Sequence, residues 1–225
     1  MTEPWIIPAQ PPGGQRNSRG GGALAYHARV NIAPFRTASY LKSVHHLRDL
    51  PPDSGREVAI SGRSNAGKSS AINAITQQNS LARTSKTPGR TQQLVFFRLA
   101  EERYLVDLPG YGYAKVPEDL RQHWQGLIED YFASRLALHG LVVVMDIRHP
   151  MREFDAGMLA YARARALPGH VLLTKADKLG RGQQGNTLRQ VRAQLAGEAS
   201  VQLFSAHSGE GIDEAREVLA SWLQL

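Results

Sequence analysis

The chain of 225 residues contains no cysteine and no long hydrophobic segment. The lack of cysteine excludes a disulfide framework, a thiolate metal cluster and a cysteine nucleophile. No apolar run approaches the roughly 20 residues that a membrane-spanning helix requires. Residues 1–36 also lack the apolar stretch of a signal peptide, so we expect a cytoplasmic protein without a membrane span.

The composition is otherwise ordinary, with a moderate excess of positive charge. Hydrophobic residues make up 42% of the chain and charged residues 21%, which excludes a wholly disordered or fibrous protein. Lys and Arg number 27 against 20 Asp and Glu, giving a formal net charge of +7. This excess is a weak indication of a polyanionic partner. We expect the protein to be a monomer.

The first 36 residues differ from the rest of the chain. They contain five glycines, five prolines and a single acid, Glu3, together with four arginines. This composition predicts a flexible basic arm over residues 1–36, followed by a single domain over residues 37–225. Contact with RNA and no role at all are both open interpretations of the arm. Residues 39–50 are predicted to form a short helix.

From residue 58 onward, strand and helix patterns alternate. Two neighbouring strand patterns separated by a polar turn predict an antiparallel hairpin over 94–108. The alternation predicts an α/β fold with a mostly parallel sheet, one antiparallel edge strand and helices on both faces. Strands are predicted at 58–60, 94–99, 104–108, 141–147, 171–174 and 201–204; helices are predicted around 72–75 and at 117–136, 153–166, 187–195 and 212–223.

A phosphate-loop pattern lies between the first predicted strand of this series and its helix. The pattern consists of a glycine, four residues and Gly-Lys-Ser, and it favours backbone N–H groups converging on phosphate oxygens at a helix N-terminus. Lys68 would add a charge for the β and γ phosphates, and the Ser69 hydroxyl would ligate Mg²⁺. The alternative is a glycine turn with an exposed lysine. The predicted phosphate-binding residues are Gly62, Arg63, Ser64, Asn65, Ala66, Gly67, Lys68 and Ser69.

A second motif, Thr174-Lys175-Ala176-Asp177, follows a predicted buried strand. The Asp177 carboxylate can accept hydrogen bonds from the ring N–H and the exocyclic amine of guanine, whereas adenine offers no such donor pair. The stem of Lys175 could cover the face of the base. After a phosphate loop this motif favours GTP and GDP over ATP, although alone it could be a helix-capping turn.

A third motif, Asp107-Leu108-Pro109-Gly110, ends the second strand of the hairpin. In phosphate-loop enzymes an Asp at this place holds magnesium through water, and the Gly110 N–H can meet a γ-phosphate. An isolated match would be a simple turn. Between this motif and the phosphate loop lies the polar, basic segment 84–92, which is typical of a mobile switch.

The order of these motifs resembles that of the translation-factor class of GTPases, and more closely that of the bacterial EngB-type ribosome-assembly GTPases. The resemblance covers residues 37–224. It rests on Gly-Arg-Ser-Asn-Ala-Gly-Lys-Ser-Ser at 62–70, Thr-Ser-Lys-Thr-Pro-Gly-Arg-Thr-Gln at 84–92, Asp-Leu-Pro-Gly-Tyr-Gly-Tyr-Ala at 107–114, Met-Asp-Ile-Arg-His-Pro at 145–150 and Thr-Lys-Ala-Asp at 174–177.

The resemblance implies further site residues. Ser69 and Thr91 would be the magnesium ligands, and Lys68, Thr91 and Gly110 would serve the hydrolysis of GTP. Tyr111 replaces the glutamine that orients water in many regulatory GTPases, which implies slow intrinsic hydrolysis. A potassium ion beside Asn65 is a further possibility. The switch segment would comprise Gly89, Arg90, Thr91, Gln92 and Gln93, and the last base-contacting loop Phe204, Ser205 and Ala206.

The resemblance also implies a biological role. It points to a GTP-hydrolysing switch that assists assembly of the large ribosomal subunit. The protein would bind that subunit or its precursor, with ribosomal RNA and ribosomal proteins as partners. Normal cell division and septation would require it. One alternative is a division-site adaptor that uses nucleotide as a structural ligand. Another is a metabolic ATPase or kinase, which Asp177 argues against.

A basic run in the C-terminal half has two open interpretations. Lys178, Arg181, Arg189 and Arg192 contribute four positive charges, and no acid lies between Lys178 and Gln194. Such a run can be a solvated helix face or a contact for RNA.

Overall fold

The computed structural model describes residues 31–82, 93–110 and 118–225, in which seven strands form one sheet. Six α-helices and two 3-10 helices, Leu47–Asp49 and Ala176–Lys178, accompany the strands in these residues. The strands are β1 (Ser39–Val44), β2 (Arg56–Gly62), β3 (Leu94–Ala100), β4 (Arg103–Asp107), β5 (Leu138–Asp146), β6 (Gly169–Thr174) and β7 (Ala199–Leu203). The α-helices are α1 (Ala33–Arg36), α2 (Lys68–Thr76), α3 (Glu118–Ser134), α4 (Glu153–Ala164), α5 (Arg181–Leu195) and α6 (Ile212–Leu223).

The sheet has the order β1-β3-β4-β2-β5-β6-β7. Strands β4, β2, β5, β6 and β7 are parallel, while β3 runs antiparallel to both of its neighbours. The mostly parallel sheet and the β3–β4 hairpin are therefore confirmed. Strand β1, which the sequence did not predict, lies outside β3 and forms the edge.

Helices cover both faces of the sheet, as predicted. In β5, Val143 and Met145 pack into the core beneath α3, α4 and α5, while Val142 and Val144 pack into the core beneath α1, α2 and α6. Because successive side chains of a strand point to opposite faces, a nearly continuous apolar strand supplies both cores. This burial on two sides explains why the central strands read as short apolar runs.

Three sequence-based predictions at the periphery were wrong. Residues 39–50 form β1 and a 3-10 helix instead of one helix, because the backbone of β1 pairs with β3. Residues Ala33–Arg36, assigned to the arm, form α1, and Phe35 is fully buried. Leu136, the last residue of the helix predicted over 117–136, is 74% exposed and lies outside α3, which ends at Ser134.

The turn after α3 has a specific anchor. The Asp53 carboxylate accepts hydrogen bonds from the backbone N–H groups of Leu136 and Ala137, at 3.0 and 2.7 Å. Because Asp53 binds these two N–H groups, Leu136 does not continue the helix, and its side chain does not lie on the buried face of α3. Burial opposes the charge of Asp53, but the two N–H groups and Arg135 lower the pKa of its carboxyl below the ordinary value.

A buried arginine ties α6 to α2. Arg216 donates from Nε to the carbonyl oxygen of Ile75 at 2.8 Å and from a terminal nitrogen to that of Ala74 at 3.2 Å. Both carbonyls belong to the last turn of α2, where helix carbonyls lack partners within the helix and a positive charge is favourable. This contact stabilises the helix that begins at the phosphate loop.

No helix among the residues described here combines the length and the apolar character that crossing a bilayer demands.

We expect acid to destabilise the fold through His170. Its ring nitrogens lie 2.7 Å from Ser200 Oγ and 2.8 Å from Gln202 Oε1, and burial lowers the pKa of the imidazole below its ordinary value of 6.5. The unfolded chain therefore binds this proton more readily. The contribution of neutral His170 to the free energy of unfolding is complete above about pH 6.5 and is lost as the pH falls toward the folded-state pKa.

Urea unfolding at a series of pH values tests this prediction. The control is His170→Gln, which retains a donor and an acceptor but does not titrate. The free energy of unfolding should fall less steeply below pH 6.5 in the variant than in the parent chain. Parallel curves would show that His170 does not carry the pH dependence.

Candidate nucleotide site

Four predicted segments converge where parallel strands end. They follow β2, β4, β6 and β7, and the carboxyl ends of parallel strands meet at one edge of a sheet. Side-chain and backbone contacts join these loops directly. The structure thus brings together the described residues of three motifs and of the last predicted loop.

The phosphate loop leaves β2 and enters α2 at Lys68. A Cβ atom added to Gly62 would lie 2.7 Å from the Val144 carbonyl oxygen, so glycine permits the close approach of β2 and β5. Gly67 has a φ of +99°, a left-handed conformation that side chains rarely adopt. The predicted strand, loop and helix are therefore all present, with the first turn of α2 opening directly from the loop.

Thr174 is the first residue of the motif Thr174-Lys175-Ala176-Asp177, which we call the base motif, and it holds the phosphate loop in place. Its hydroxyl is buried and contacts the carbonyl oxygens of Ala66 and, at 3.0 Å, Met145. The hydroxyl of Ser64, in the same loop, is buried and has no hydrogen-bond partner among the described residues. An orphaned hydroxyl beside a helix N-terminus fits an anionic ligand that brings its own acceptor oxygens.

Lys68 joins the phosphate loop to the segment after β4. Its ammonium contacts a carboxylate oxygen of Asp107 and donates to the Leu108 carbonyl oxygen at 2.6 Å. Gly110 lies beside the loop, since a Cβ atom there would be 3.6 Å from the Cα of Ser64. Ser69 occupies the second position of α2. An ammonium and a carboxylate thus lie together beside the phosphate loop, and Ser69 follows Lys68 in the first turn of α2; these residue types fit a triphosphate with bound Mg²⁺.

Lys175 connects the base motif to the phosphate loop. Its ammonium donates to the Asn65 carbonyl oxygen at 2.7 Å and lies 2.9 Å from Asp146 Oδ2. Lys175 has a φ of +57°, an uncommon left-handed conformation for a residue with a side chain. The side chain is therefore fixed at both partners, and it spans from the end of β6 to the phosphate loop.

Asp146 is a site residue to which sequence analysis gave no role. Burial opposes its charge, but hydrogen bonds from Arg148 and Lys175 outweigh it and hold the pKa of this carboxyl well below its usual range. Arg148 donates to both carboxylate oxygens, at 2.9 and 2.6 Å. Asp146 ends β5, which lies between β2 and β6, and both of these strands lead into predicted motifs. This position at the end of a strand is the sequence signal that could have identified Asp146.

Asp177 is positioned by the loop after β7. The Ser205 hydroxyl donates to Asp177 Oδ1 at 2.7 Å, and this bond is the main reason why the pKa of the carboxyl lies below its ordinary value. The N–H of Ala176 donates to the Phe204 carbonyl oxygen at 3.1 Å. These contacts join the two loops, and the Ser205 hydroxyl keeps the Asp177 carboxylate ionised and oriented.

Some predicted residues lie outside the described ranges. Thr91, assigned as a magnesium ligand, and Tyr111, the residue in place of the water-orienting glutamine, are two of them. Their roles stay predictions. Gln93 is described and lies directly before β3, whereas Gly89, Arg90, Thr91 and Gln92 are outside.

Comparison with known proteins agrees with this arrangement. A family model described as "50S ribosome-binding GTPase" matches residues 57–175. The chain is 62% identical over 192 residues to "Probable GTP-binding protein EngB" of Xanthomonas campestris pv. campestris (strain 8004), covering 84% of this chain and 93% of that relative. It is 59% identical over 197 residues to the protein of the same name from Xylella fastidiosa (strain 9a5c), covering 86% and 97%.

Solved structures show the same fold. The crystal structure of a probable GTP-binding protein engB has a TM-score of 0.61 at 19% identity, covering 75% of this chain and 98% of that one. The bacterial selenocysteine-specific elongation factor EF-Sec has a TM-score of 0.54 at 18% identity, covering 76% of this chain and 29% of that one. With the matched family model and the identity to curated relatives, these findings show that the chain belongs to the EngB family of GTP-binding GTPases.

Proposed function

We propose that this GTPase is a molecular switch that assists assembly of the large ribosomal subunit and is thereby needed for normal division and septation. The observation that carries the proposal is the direct joining of the phosphate loop to the segment after β4, through Lys68, and to the base motif, through Lys175. One connected set of loops would thus respond both to the phosphates and to the base of the nucleotide. The family description as ribosome-binding and the net charge of +7 support a ribosomal partner.

The residues of the chain supply most of the proposed chemistry. The loop N–H groups and Lys68 would bind the phosphates, and Asp177 would select guanine. Ser69 and Thr91 would hold Mg²⁺, with Asp107 acting through water; the bound ion would neutralise developing charge on the β and γ phosphates. Because Lys68 contacts both the Asp107 carboxylate and the Leu108 carbonyl, a phosphate that draws its ammonium also acts on the chain leading to Gly110.

The switching step follows from what a γ-phosphate adds. It would recruit Thr91 and Gly110 together, and hydrolysis would release both segments. In this proposal the GTP form, acting as a cytoplasmic monomer, docks on the large subunit or its precursor through ribosomal RNA and proteins. The GDP form leaves.

Sucrose-gradient sedimentation of cell extract tests this function. With a non-hydrolysable GTP analogue the chain should migrate with large-subunit particles, and with GDP it should stay at the top of the gradient. Asp177→Asn is the matched control, since weakened guanine binding should abolish the difference. Association with a non-ribosomal complex, independent of the nucleotide, would instead support a division-site adaptor.

We expect slow GTP hydrolysis by the isolated protein and faster hydrolysis in potassium than in sodium at equal ionic strength. Tyr111 cannot orient water as an amide does, and a monovalent cation near Asn65 would offset charge beside the phosphates. Asn65 is exposed and has a φ of +61°. Asn65→Gly should remove the potassium effect without strain, because glycine adopts this conformation readily.

Single-turnover hydrolysis in the two salts measures this effect, and GDP affinity serves as the control for an intact loop. Fast hydrolysis in sodium that Asn65→Gly leaves unchanged would contradict the proposed role of the cation. Another group would then position the water.

A further inference from the structure

Helix α5 carries all its positive charge on one side. It spans Arg181–Leu195 and contains three arginines and no acid. Arg181, Arg189 and Arg192 are all exposed, and none of them forms an ion pair within 4 Å in the described part of the chain. Arg192 attracts the Glu214 carboxylate of α6 without forming such a pair, and Arg189 donates to the neutral Asn186 side chain. The three charges are therefore available to a partner.

The helical period places two glycines among these arginines. At about 100° per residue, and with Arg181 at zero, Arg192 lies at about 20°, Gly185 at about 40°, Arg189 at about 80° and Gly182 at about 100°. The other residues of α5 fall outside this sector. We call these five residues the α5 basic face. Its long axis, from the first arginine to the last, rises by about 16 Å.

Apolar residues next to the α5 basic face hold the helix against the sheet. Val191 and Leu195 are buried, and Leu188 packs against the same core. These apolar residues lie at about −80°, −40° and −20° on the same scale, beside the α5 basic face. The α5 basic face therefore lies on the flank of the helix next to the core, and its three arginine side chains remain exposed there.

Close packing does not explain why these two positions are occupied by glycine. A Cβ atom added to Gly182 or Gly185 would meet nothing within 4 Å, and neither residue has a positive φ. Glycine in a helix weakens it, and alanine would fit both positions at no steric cost. What glycine supplies here is bare backbone between arginine side chains, which lets another surface approach the helix closely.

We propose that the α5 basic face docks on the sugar-phosphate backbone of an RNA duplex. Three arginines without a nearby ion pair complement phosphates, and bare glycines admit the wide, shallow groove of A-form RNA. The exposed large hydrophobic residues of the described chain are Tyr40 and Leu136, neither of which lies on α5. The face therefore offers no aromatic platform for unpaired bases, which argues against single strands. The identification of this duplex as ribosomal RNA rests on the proposed function.

Fluorescence anisotropy tests the contribution of the three arginines to RNA binding. The full chain is titrated against a labelled mixed-sequence RNA duplex of about 20 base pairs over a series of salt concentrations. Arg181→Gln, Arg189→Gln and Arg192→Gln should each lower affinity about tenfold and reduce the salt slope by about 1. Arg98→Gln is the matched control, because Arg98 is an exposed arginine on β3 near the other edge of the sheet. Equal losses in all four variants would show attraction by net charge alone and overturn the proposal.

A neutral variant tests close approach. Gly185→Gln leaves the charge unchanged but places bulk between the arginines, and it should lower duplex affinity about tenfold. Gly126→Gln in α3 is its control, since that helical glycine also has open space around it. Unchanged GDP affinity and thermal unfolding would show that each variant is folded. Equal binding by the two glycine variants, or tighter binding to single-stranded RNA than to the duplex, would overturn the proposal.

Sedimentation separates this inference from the proposed function. If the triple arginine variant joins large-subunit particles as the parent chain does with the GTP analogue, the ribosomal function stands and the α5 basic face is not its docking surface. If the parent chain fails to join particles but its duplex binding requires the three arginines and Gly185, the RNA face stands and the ribosomal role is wrong.

Discussion

Asp177→Asn is expected to weaken GTP and GDP binding by roughly ten- to more than a hundredfold, which corresponds to about 1.5–3 kcal/mol. The carboxylate that Ser205 holds in place can accept two hydrogen bonds from guanine, whereas an amide offers one acceptor and a donor. An asparagine that keeps its oxygen toward Ser205 puts its NH₂ group where Oδ2 now lies. That group suits the extra carbonyl of xanthine, so affinity for xanthosine nucleotides should rise.

Titration of the variant with guanosine and xanthosine diphosphates measures this exchange of specificity. Lys178→Gln is the appropriate control, because Lys178 lies 3.1 Å from Asp177 Oδ2 and its side chain is 60% exposed. Loss of this surface ion pair alone should change affinity little. Unchanged GTP affinity in Asp177→Asn would remove the guanine assignment.

The second large effect should come from Arg135→Met, which we expect to lower the free energy of unfolding by about 3–5 kcal/mol. Arg135 donates to both carboxylate oxygens of the fully buried Glu57, with Nε at 3.0 and 3.1 Å, and to the Pro51 carbonyl oxygen at 2.9 Å. Without the guanidinium, Glu57 would keep one side-chain donor, the Tyr131 hydroxyl at 2.7 Å. Burial and Glu57 raise the pKa of Tyr131 well above its ordinary value, so this hydroxyl stays protonated.

Urea unfolding of the single variant and of Glu57→Gln/Arg135→Met tests the buried charge as the cause. The double variant should recover part of the loss, since no uncompensated carboxylate remains. GDP affinity of the folded fraction should stay near that of the parent chain, because Glu57 and the phosphate loop lie at opposite ends of β2, about 17 Å apart. A loss below about 1 kcal/mol would show that the pair is not a major source of stability.

Local patterns were sufficient for most elements of the fold. The β3–β4 hairpin, the central strands and helices α2, α4 and α6 were recognisable because period and turn residues act within about ten positions. Strand β1 was not, since its conformation depends on pairing with residues of β3 that lie 50 to 59 positions away. The extent of α5 was underestimated because Gly182 and Gly185 disfavour a helix that packing on the sheet nevertheless stabilises.

The sequence by itself determined which chemistry the site is predicted to have, because spacing within a motif is a local property: the pattern from Gly62 to Ser69 predicts a phosphate loop, and Asp177 is the carboxylate predicted to bind a base. Only the tertiary structure decided which groups position those residues. Asp146 reaches Lys175 and Lys175 reaches Asn65 because neighbouring strands end at one edge of the sheet, and Glu57 meets Arg135 across 78 residues of chain. Such partners lie far apart in sequence and leave no periodic signal, since what brings them together is burial of two apolar cores against the same strands.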